Sequence, residues 1–171
     1  MLFASQKVTD PRKGIDYLVE AAKLLKSRGE ELEFVIMGGR SEDVAAMLPY
    51  PCHPMGYVNS PELAAQIYSA CDLFVTPSLM ENLPNTIMEA MSCGAPCVGF
   101  NIGGIPEMID HKANGYVASY KDASDLAAGI AYILGSTGYE ALSAEARKKA
   151  TRDWSERIIA SKFVDLYASL I

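Results

Sequence analysis

Two glutamates, Glu81 and Glu89, stand on either side of Pro84 with seven residues between them. Pro84 fits the first turn of a helix, where the missing N–H of proline costs nothing. A helix beginning there directs the unpaired amides of its first turn, and the positive end of its dipole, at whatever lies in front, and both favour a phosphate. An anion at that spot lies between two carboxylates and is repelled unless cations intervene. Lys7, Arg12 and Lys13, all within segment 6–13, supply three. Lys13 opens a helical pattern, a poor position for a cation on dipole grounds, so a ligand would give it a reason to be there. Taken singly, each of these side chains reads equally well as solvated surface. Their weight comes from their occurrence together.

The combination suits a nucleotide sugar, with pyrophosphate on the helix N-terminus, a ribose diol on one carboxylate and a sugar hydroxyl on the other. Other candidates say less. His53 and His111 are the only histidines, and a lone loop histidine is more often exposed or structurally bonded than catalytic. Cys52, Cys71, Cys93 and Cys97 form neither a CxxC pair nor a His/Cys metal pattern, and read as reduced residues of a cytoplasmic protein. Gly103-Gly104 fits a close approach to a ligand and a plain turn equally. Met80, Met88, Met91 and Met108 read as core filler, Ser78 and Asp72 as turn and cap residues.

The elements that must position these groups follow from hydrophobic periodicity. The apolar run 1–5 reads as a strand. Ile15, Leu18, Val19, Ala22 and Leu25 then mark one helix face that Gly29 can stop in a left-handed conformation. A buried strand over 32–37 ends in Gly38-Gly39, and a short helix follows over 42–48. Segment 52–58 allows a short extended piece. Ser60-Pro61 begins a helix with Leu63, Ala64, Ile67 and Tyr68 inward. Strands are expected over 72–76, 95–100 and 115–119, the first followed by a loop and the helix from Pro84. A helix runs from Asp122 with Leu126, Ile130, Ile133 and Leu134 on one face, and another from Trp154 with Ile159, Phe163, Leu166, Tyr167 and Leu170. Short apolar strands alternating with helices predict an α/β fold, a Rossmann-like, doubly wound parallel sheet with helices on both faces. Ligands of such sheets bind beyond the carboxyl ends of the strands, which directs attention to loops 6–13, 38–41, 56–59, 78–85 and 101–105.

The 171 residues amount to one ordinary domain, half of them apolar. With 15 Lys plus Arg against 21 Asp plus Glu, the net charge of −6 excludes a general field that grips nucleic acid or an anionic membrane. Any anion must be held by a local site. The longest apolar stretch, 126–134, is too short to span a bilayer, and the N-terminus lacks a basic region followed by an apolar run.

In order and spacing, the pieces resemble the donor-binding half of glycosyltransferase family 4, retaining enzymes of the GT-B fold. They are Arg12-Lys13-Gly14, Gly38-Gly39, Gly56-Tyr57-Val58, Ala70-Cys71-Asp72-Leu73, the run from Pro77 through Glu81 and Glu89 to Val98, Gly103-Gly104-Ile105-Pro106-Glu107, Asn114-Gly115-Tyr116, and a terminal helix introduced by Trp154. The likeness covers essentially the whole chain. It implies transfer of a hexosyl group from a UDP-, GDP- or ADP-linked sugar to an acceptor in polysaccharide or glycolipid assembly. Glu81 would contact the transferred sugar and stabilise the charge that develops there. Asn82, Leu83, Pro84 and Asn85 would meet sugar and phosphates through backbone N–H groups, and Glu89 the ribose. Lys13 would neutralise the diphosphate without a metal or other cofactor, assisted by Arg12. Lys7 falls where many members carry an arginine, although Ala4-Ser5-Gln6-Lys7 departs from their glycine-arginine pair. Gly38, Gly39, Tyr57 and Val58 would border the base.

A complete enzyme of that fold has two such domains. The resemblance therefore implies that residues 1–171 are the single donor-binding domain, inactive alone, with the N-terminal acceptor domain absent. It also implies a membrane-associated acceptor and a cytoplasmic enzyme peripheral to the membrane. The terminal helix would leave Phe163, Leu166, Tyr167 and Leu170 uncovered, a surface for self-association or docking. Alternatives are a non-catalytic nucleotide-sugar binding or interaction module, and an epimerase or phosphorylase on the same fold.

Overall fold

The computed structural model describes residues 1–170. Six parallel strands, β1 (Leu2–Lys7), β2 (Phe34–Gly39), β3 (Cys52–Gly56), β4 (Phe74–Thr76), β5 (Cys97–Phe100) and β6 (Gly115–Ala118), form one sheet in the order β3-β2-β1-β4-β5-β6. Helices α1 (Ile15–Ser27), α2 (Ser41–Ala45), α3 (Pro61–Ser69), α4 (Asn85–Ser92) and α5 (Ile105–Met108) make the crossovers, and α6 (Ala123–Leu134), α7 (Tyr139–Trp154) and α8 (Glu156–Ala168) follow β6. Both faces of the central strands are covered, as their continuous apolar runs require.

Alternate strand residues serve opposite cores. Phe3, Phe34, Ile36, Val75, Val98 and Phe100 pack on one face against Leu18, Leu25, Leu126 and Ile130 of α1 and α6. Leu2, Ala4, Phe74 and Cys97 pack on the other against Tyr68, Ile87, Met91 and Ala146 of α3, α4 and α7. The chain travels one way from β1 to β3 and then resumes on the far side of β1 with β4. The carboxyl ends of β1 and β4 are thus adjacent where the strand order reverses, and a crevice opens beyond them.

The strands lie within a residue or two of the expected bounds, and Ser60 and Asp122 cap α3 and α6 with their side chains. Gly29 is left-handed just past α1. Several expectations are corrected. Lys13 does not open a helix. It ends a single 3-10 turn, Pro11–Lys13, capped by Asp10, and Gly14 separates that turn from α1. Leu63 is exposed because α3 rests on the sheet through Ile67 and Tyr68 alone. Met80 lies at the tip of a loop and is 67% exposed, so it fills no core. Trp154 ends α7 rather than introducing the last helix, because Ser155 adopts an extended conformation and breaks the two apart. Helix α7 itself escaped the periodicity reading, since its buried positions are Leu142, Ala146, Lys149 and Ala150 among many charges. Phe163, Leu166, Tyr167 and Leu170 are exposed on α8 as expected.

One contact sets the geometry of the crevice. Gly14 is left-handed, with φ 68°, and a Cβ there would lie 1.8 Å from the Pro77 carbonyl oxygen. Only a residue without a side chain lets the turn after β1 sit flush on the end of β4. Gly14→Ala is expected to cost about 2–4 kcal/mol through the clash and the unfavourable φ together, read as a lower denaturant midpoint. A loss under about 0.5 kcal/mol would show that the two segments separate without penalty.

Candidate functional site

Two adjoining clefts cross the carboxyl ends of β1, β2 and β4. The first, about 360 Å³, is bordered by Lys7, Arg12, Lys13, Glu81, Pro84 and Asn85. The second, about 440 Å³, is bordered by Gly38, Tyr57, Val58, Tyr68, Asn85 and Glu89. Ser5, Gln6, Asn85 and Thr86 belong to both, so the N-terminus of α4 and the end of β1 form the floor of one continuous groove. A third cleft of about 520 Å³ between α3 and α4 shares Met37, Val58, Tyr68 and Glu89 with it.

Helix α4 starts at Asn85 behind Pro84 and has no side-chain cap. A cap is worth about 1 kcal/mol, whereas fully burying Ile87 and Met91 contributes about 1.5–3 kcal/mol each. Burial therefore holds the helix, and although the Ile87 amide turns back to the Pro84 carbonyl at 3.0 Å, the amides of Asn85 and Thr86 stay available to a ligand. Loop 79–84 is fixed from three sides. The Leu79 amide donates to the Arg12 carbonyl at 2.7 Å, the Tyr120 hydroxyl to the Leu79 carbonyl at 3.1 Å, and the Gly104 amide to the Asn82 carbonyl at 2.7 Å. A Cβ on left-handed Gly103 would meet the Glu81 carbonyl oxygen at 1.9 Å. The Gly103-Gly104 pair thus packs backbone against backbone under the Glu81 loop.

The two carboxylates are held differently. Lys13 Nζ donates to Glu81 Oε1, joining them as an ion pair, with the Glu81 side chain 13% exposed. Glu89 Oε2 instead accepts from the hydroxyl of buried Tyr68 at 2.9 Å. Burial, and then the Glu89 charge, push the Tyr68 hydroxyl far up from its ordinary value, so it stays a neutral donor. Arg12 grips Asp10 through Nε at 3.1 Å and Nη2 at 2.6 Å. Among the described residues Lys7 has no acidic partner. Ser5 Oγ, where the clefts meet, is the one buried side-chain polar atom without a hydrogen bond among the described residues. Such an atom costs about 1–3 kcal/mol until something pairs with it.

Of the residues singled out from sequence, the groove brings together Lys7, Arg12, Lys13, Glu81, Pro84, Asn85, Glu89, Gly38, Tyr57 and Val58. Asn82 faces a separate open depression beside Gly103. Leu83 and Gly39 border neither cleft. Asp10, Tyr68, Gln6 and Thr86 were missed. Asp10 carried a signal, lying two residues before Arg12, while Tyr68 was visible only as a helix-face residue. His53 pairs with Glu33 and His111 accepts from the Val117 amide, both away from the groove. The four cysteines are unpaired. No cluster of three or more His, Cys, Asp or Glu side chains is arranged to hold a metal ion, and no helix is long and apolar enough to cross a membrane, among the described residues.

Comparison with known proteins gives this arrangement a setting. Residues 1–136 match the family described as glycosyl transferases group 1. The chain is 30% identical over 170 residues to N,N'-diacetylbacillosaminyl-diphospho-undecaprenol alpha-1,3-N-acetylgalactosaminyltransferase of Campylobacter jejuni, covering 93% of this chain and 42% of that protein. Among solved structures, sucrose-phosphate synthase from Thermosynechococcus elongatus superposes with a TM-score of 0.83 at 25% identity, over 99% of this chain and 45% of that one. HepE of Anabaena, solved with UDP and glucose, superposes with a TM-score of 0.79 at 20% identity, over 98% and 48%. The chain spans less than half the length of each.

The Asp10 carboxyl is held down at about 2, first by the Arg12 side chain and then by the Arg12 backbone amide. A depressed carboxylate stabilises the folded state above its ordinary value near 3.8 and ceases to do so as pH falls through about 2. Carbon-13 NMR of the Asp10 carboxyl should show a midpoint near 2 in the wild-type chain and a higher one in Arg12→Ala, still below 3.8 because the backbone amide of residue 12 remains. An ordinary midpoint in the wild type would mean that the fork does not persist in solution.

Proposed function

We propose that this chain, which belongs to the group 1 glycosyltransferases, is the donor-binding half of a retaining transferase of family 4, moving a hexosyl group from a nucleotide-diphosphate sugar. Its fold is one Rossmann-like half of a GT-B enzyme. The observation that carries the proposal is the shared groove, in which Lys13, the N-terminus of α4 and the two carboxylates face one another at the point of strand-order reversal.

In this reading the diphosphate lies on the free amides at the start of α4, between Glu81 and Glu89. Lys13, with Arg12 and Lys7 nearby, offsets the charge of two phosphates between two carboxylates. As the bond from the sugar to the diphosphate breaks, negative charge grows on the leaving oxygen. A fixed ammonium and fixed amides stabilise that charge without a metal ion. Glu81 faces the sugar and stabilises the positive charge that develops at its ring. Glu89, held by Tyr68, accepts the ribose hydroxyls, and Gly38, Tyr57 and Val58 border the base.

UDP accompanies HepE in its crystal structure, which supports a uridine donor. The Campylobacter relative is named for an undecaprenol-linked acceptor, which supports a lipid-linked or polysaccharide acceptor and a cytoplasmic enzyme acting at the membrane surface. Acceptor binding is assigned to a second, N-terminal domain, because the chain spans 42% of that relative and catalysis needs donor and acceptor held together. The 171-residue chain alone should bind donor without transferring sugar.

Calorimetric titration with UDP, GDP and ADP, without added metal, tests this. One of the three should bind saturably, and Lys13→Ala and Glu89→Ala should each weaken it at least about tenfold, the loss of a charge-assisted contact. Binding that requires a divalent cation would remove the metal-free mechanism. Binding indifferent to both substitutions would place the ligand elsewhere.

A further inference from the structure

Two of the three cations bordering the groove are already neutralised by the chain's own acids, Arg12 by Asp10 and Lys13 by Glu81. The second pair is the more enclosed, with side chains 30% and 13% exposed against 68% and 21%. Its two backbones are also tied. The Lys13 amide donates to the Asp10 carbonyl at 2.9 Å, and the Leu79 amide joins the Glu81 loop to the Arg12 carbonyl at 2.7 Å. Lys13 and Glu81 are therefore held at contact distance with no loop closure required. A phosphate reaching Lys13 competes with Glu81 for one ammonium charge, of whose three N–H donors the carboxylate already holds one.

We propose that Glu81 is an internal competitor for Lys13, and that exchange of this partner makes the groove prefer a nucleotide sugar over a bare nucleoside diphosphate. The proposal rests on the reading of the groove given above and adds to it a means of discriminating substrate from product. Either ligand loses the same amount by breaking the pair, because its observed affinity is reduced by the fraction of chains in which Lys13 is free. What the freed carboxylate then meets differs. A nucleotide sugar brings hydroxyls that donate to Glu81, so the carboxylate changes partners. At that end a bare nucleoside diphosphate brings only phosphate oxygens and negative charge, and leaves a largely enclosed carboxylate unpaired beside them. Asp10 and Glu89 add like charge along the same groove. Once the sugar has left, Glu81 recovers Lys13 and helps to expel the diphosphate.

The test is calorimetry of UDP, GDP and ADP, and of the sugar nucleotide of whichever binds best, on the wild-type chain, Glu81→Gln, Glu81→Ala, Lys13→Ala and the Lys13→Ala/Glu81→Gln double variant. Each is first checked for a cooperative thermal transition, and Glu81→Ala stands in if Glu81→Gln does not fold. Removing the charge should tighten diphosphate binding at least about fivefold. That gain should shrink to the direct repulsion between carboxylate and phosphate when Lys13 is absent, and the sugar nucleotide should gain less or lose. A diphosphate affinity no higher than wild type, or a gain that is undiminished without Lys13, overturns the exchange and leaves the nucleotide-sugar reading standing. If the wild type and every folded variant bind none of the three diphosphates, that reading falls and the exchange falls with it.

Discussion

The seating of Gly14 on the Pro77 carbonyl is the constraint from which the rest of the site follows. A doubly wound sheet brings the ends of β1 and β4 side by side, but leaves open how closely the following loops approach. Because no Cβ intervenes, the turn that carries Arg12 and Lys13 lies directly against the strand end that leads to Glu81. The bond from the Leu79 amide to the Arg12 carbonyl then locks the two segments together. The meeting of Lys13 with Glu81, 68 residues apart in sequence, is a consequence of backbone packing more than of attraction between charges. A partly exposed ion pair is worth about 0–1 kcal/mol, too little to pull two loops into place. The buried backbone contacts place the pair, and the pair then tunes the site.

That order of causes explains how a chain of net charge −6 can present an anion site. At a Debye length of about 8 Å the general field is largely screened at the groove, so the local inventory decides. Lys7, Arg12 and Lys13 stand against Asp10, Glu81 and Glu89, which is close to balance in side chains. What favours an anion is the open N-terminus of α4, whose dipole and unpaired amides titrate with nothing. Covering it with a side-chain cap would stabilise the helix and spoil the site. Ile87 and Met91 make that cap dispensable.

The sheet, its order of elements and most of the groove were legible because each rests on a local signal: apolar runs for strands, Ser60 and Asp122 for helix starts, and Glu81 and Glu89 around Pro84 for a carboxylate pair. What escaped depends on distant residues. The packing that hides Leu142 and Ala146 of α7 is weakly encoded in a helix whose buried face also carries Lys149, which donates to the Glu107 carbonyl and to Asp110. Lys13 looked like a helix opener because the pattern of α1 begins beside it, whereas the left-handed Gly14 belongs to a contact with Pro77 that no local window contains. Gly103-Gly104 showed a turn in sequence and not what the turn supports. Tyr68 was missed as a site residue for the same reason, since it acts on Glu89 from 21 positions away, whereas Asp10 was overlooked although its partner Arg12 lies two residues on.

The two carboxylates, alike in sequence, are made unlike by what holds them. Tyr68 is neutral, buried and kept from ionising by its surroundings, so it orients Glu89 without consuming its charge, and about three lone-pair directions remain for hydroxyls. Lys13 is charged and shared, so Glu81 is oriented only while it gives up part of its own field. A fixed acceptor supported by a neutral donor suits a part of the ligand that does not change during reaction. An acceptor paired to a cation that the ligand also contacts suits the part that does, because bond cleavage changes the charge on both sides of that pair at once. The groove therefore separates a static end from a reactive end through Tyr68 and Lys13, residues that lie 21 and 68 positions from the carboxylates they control.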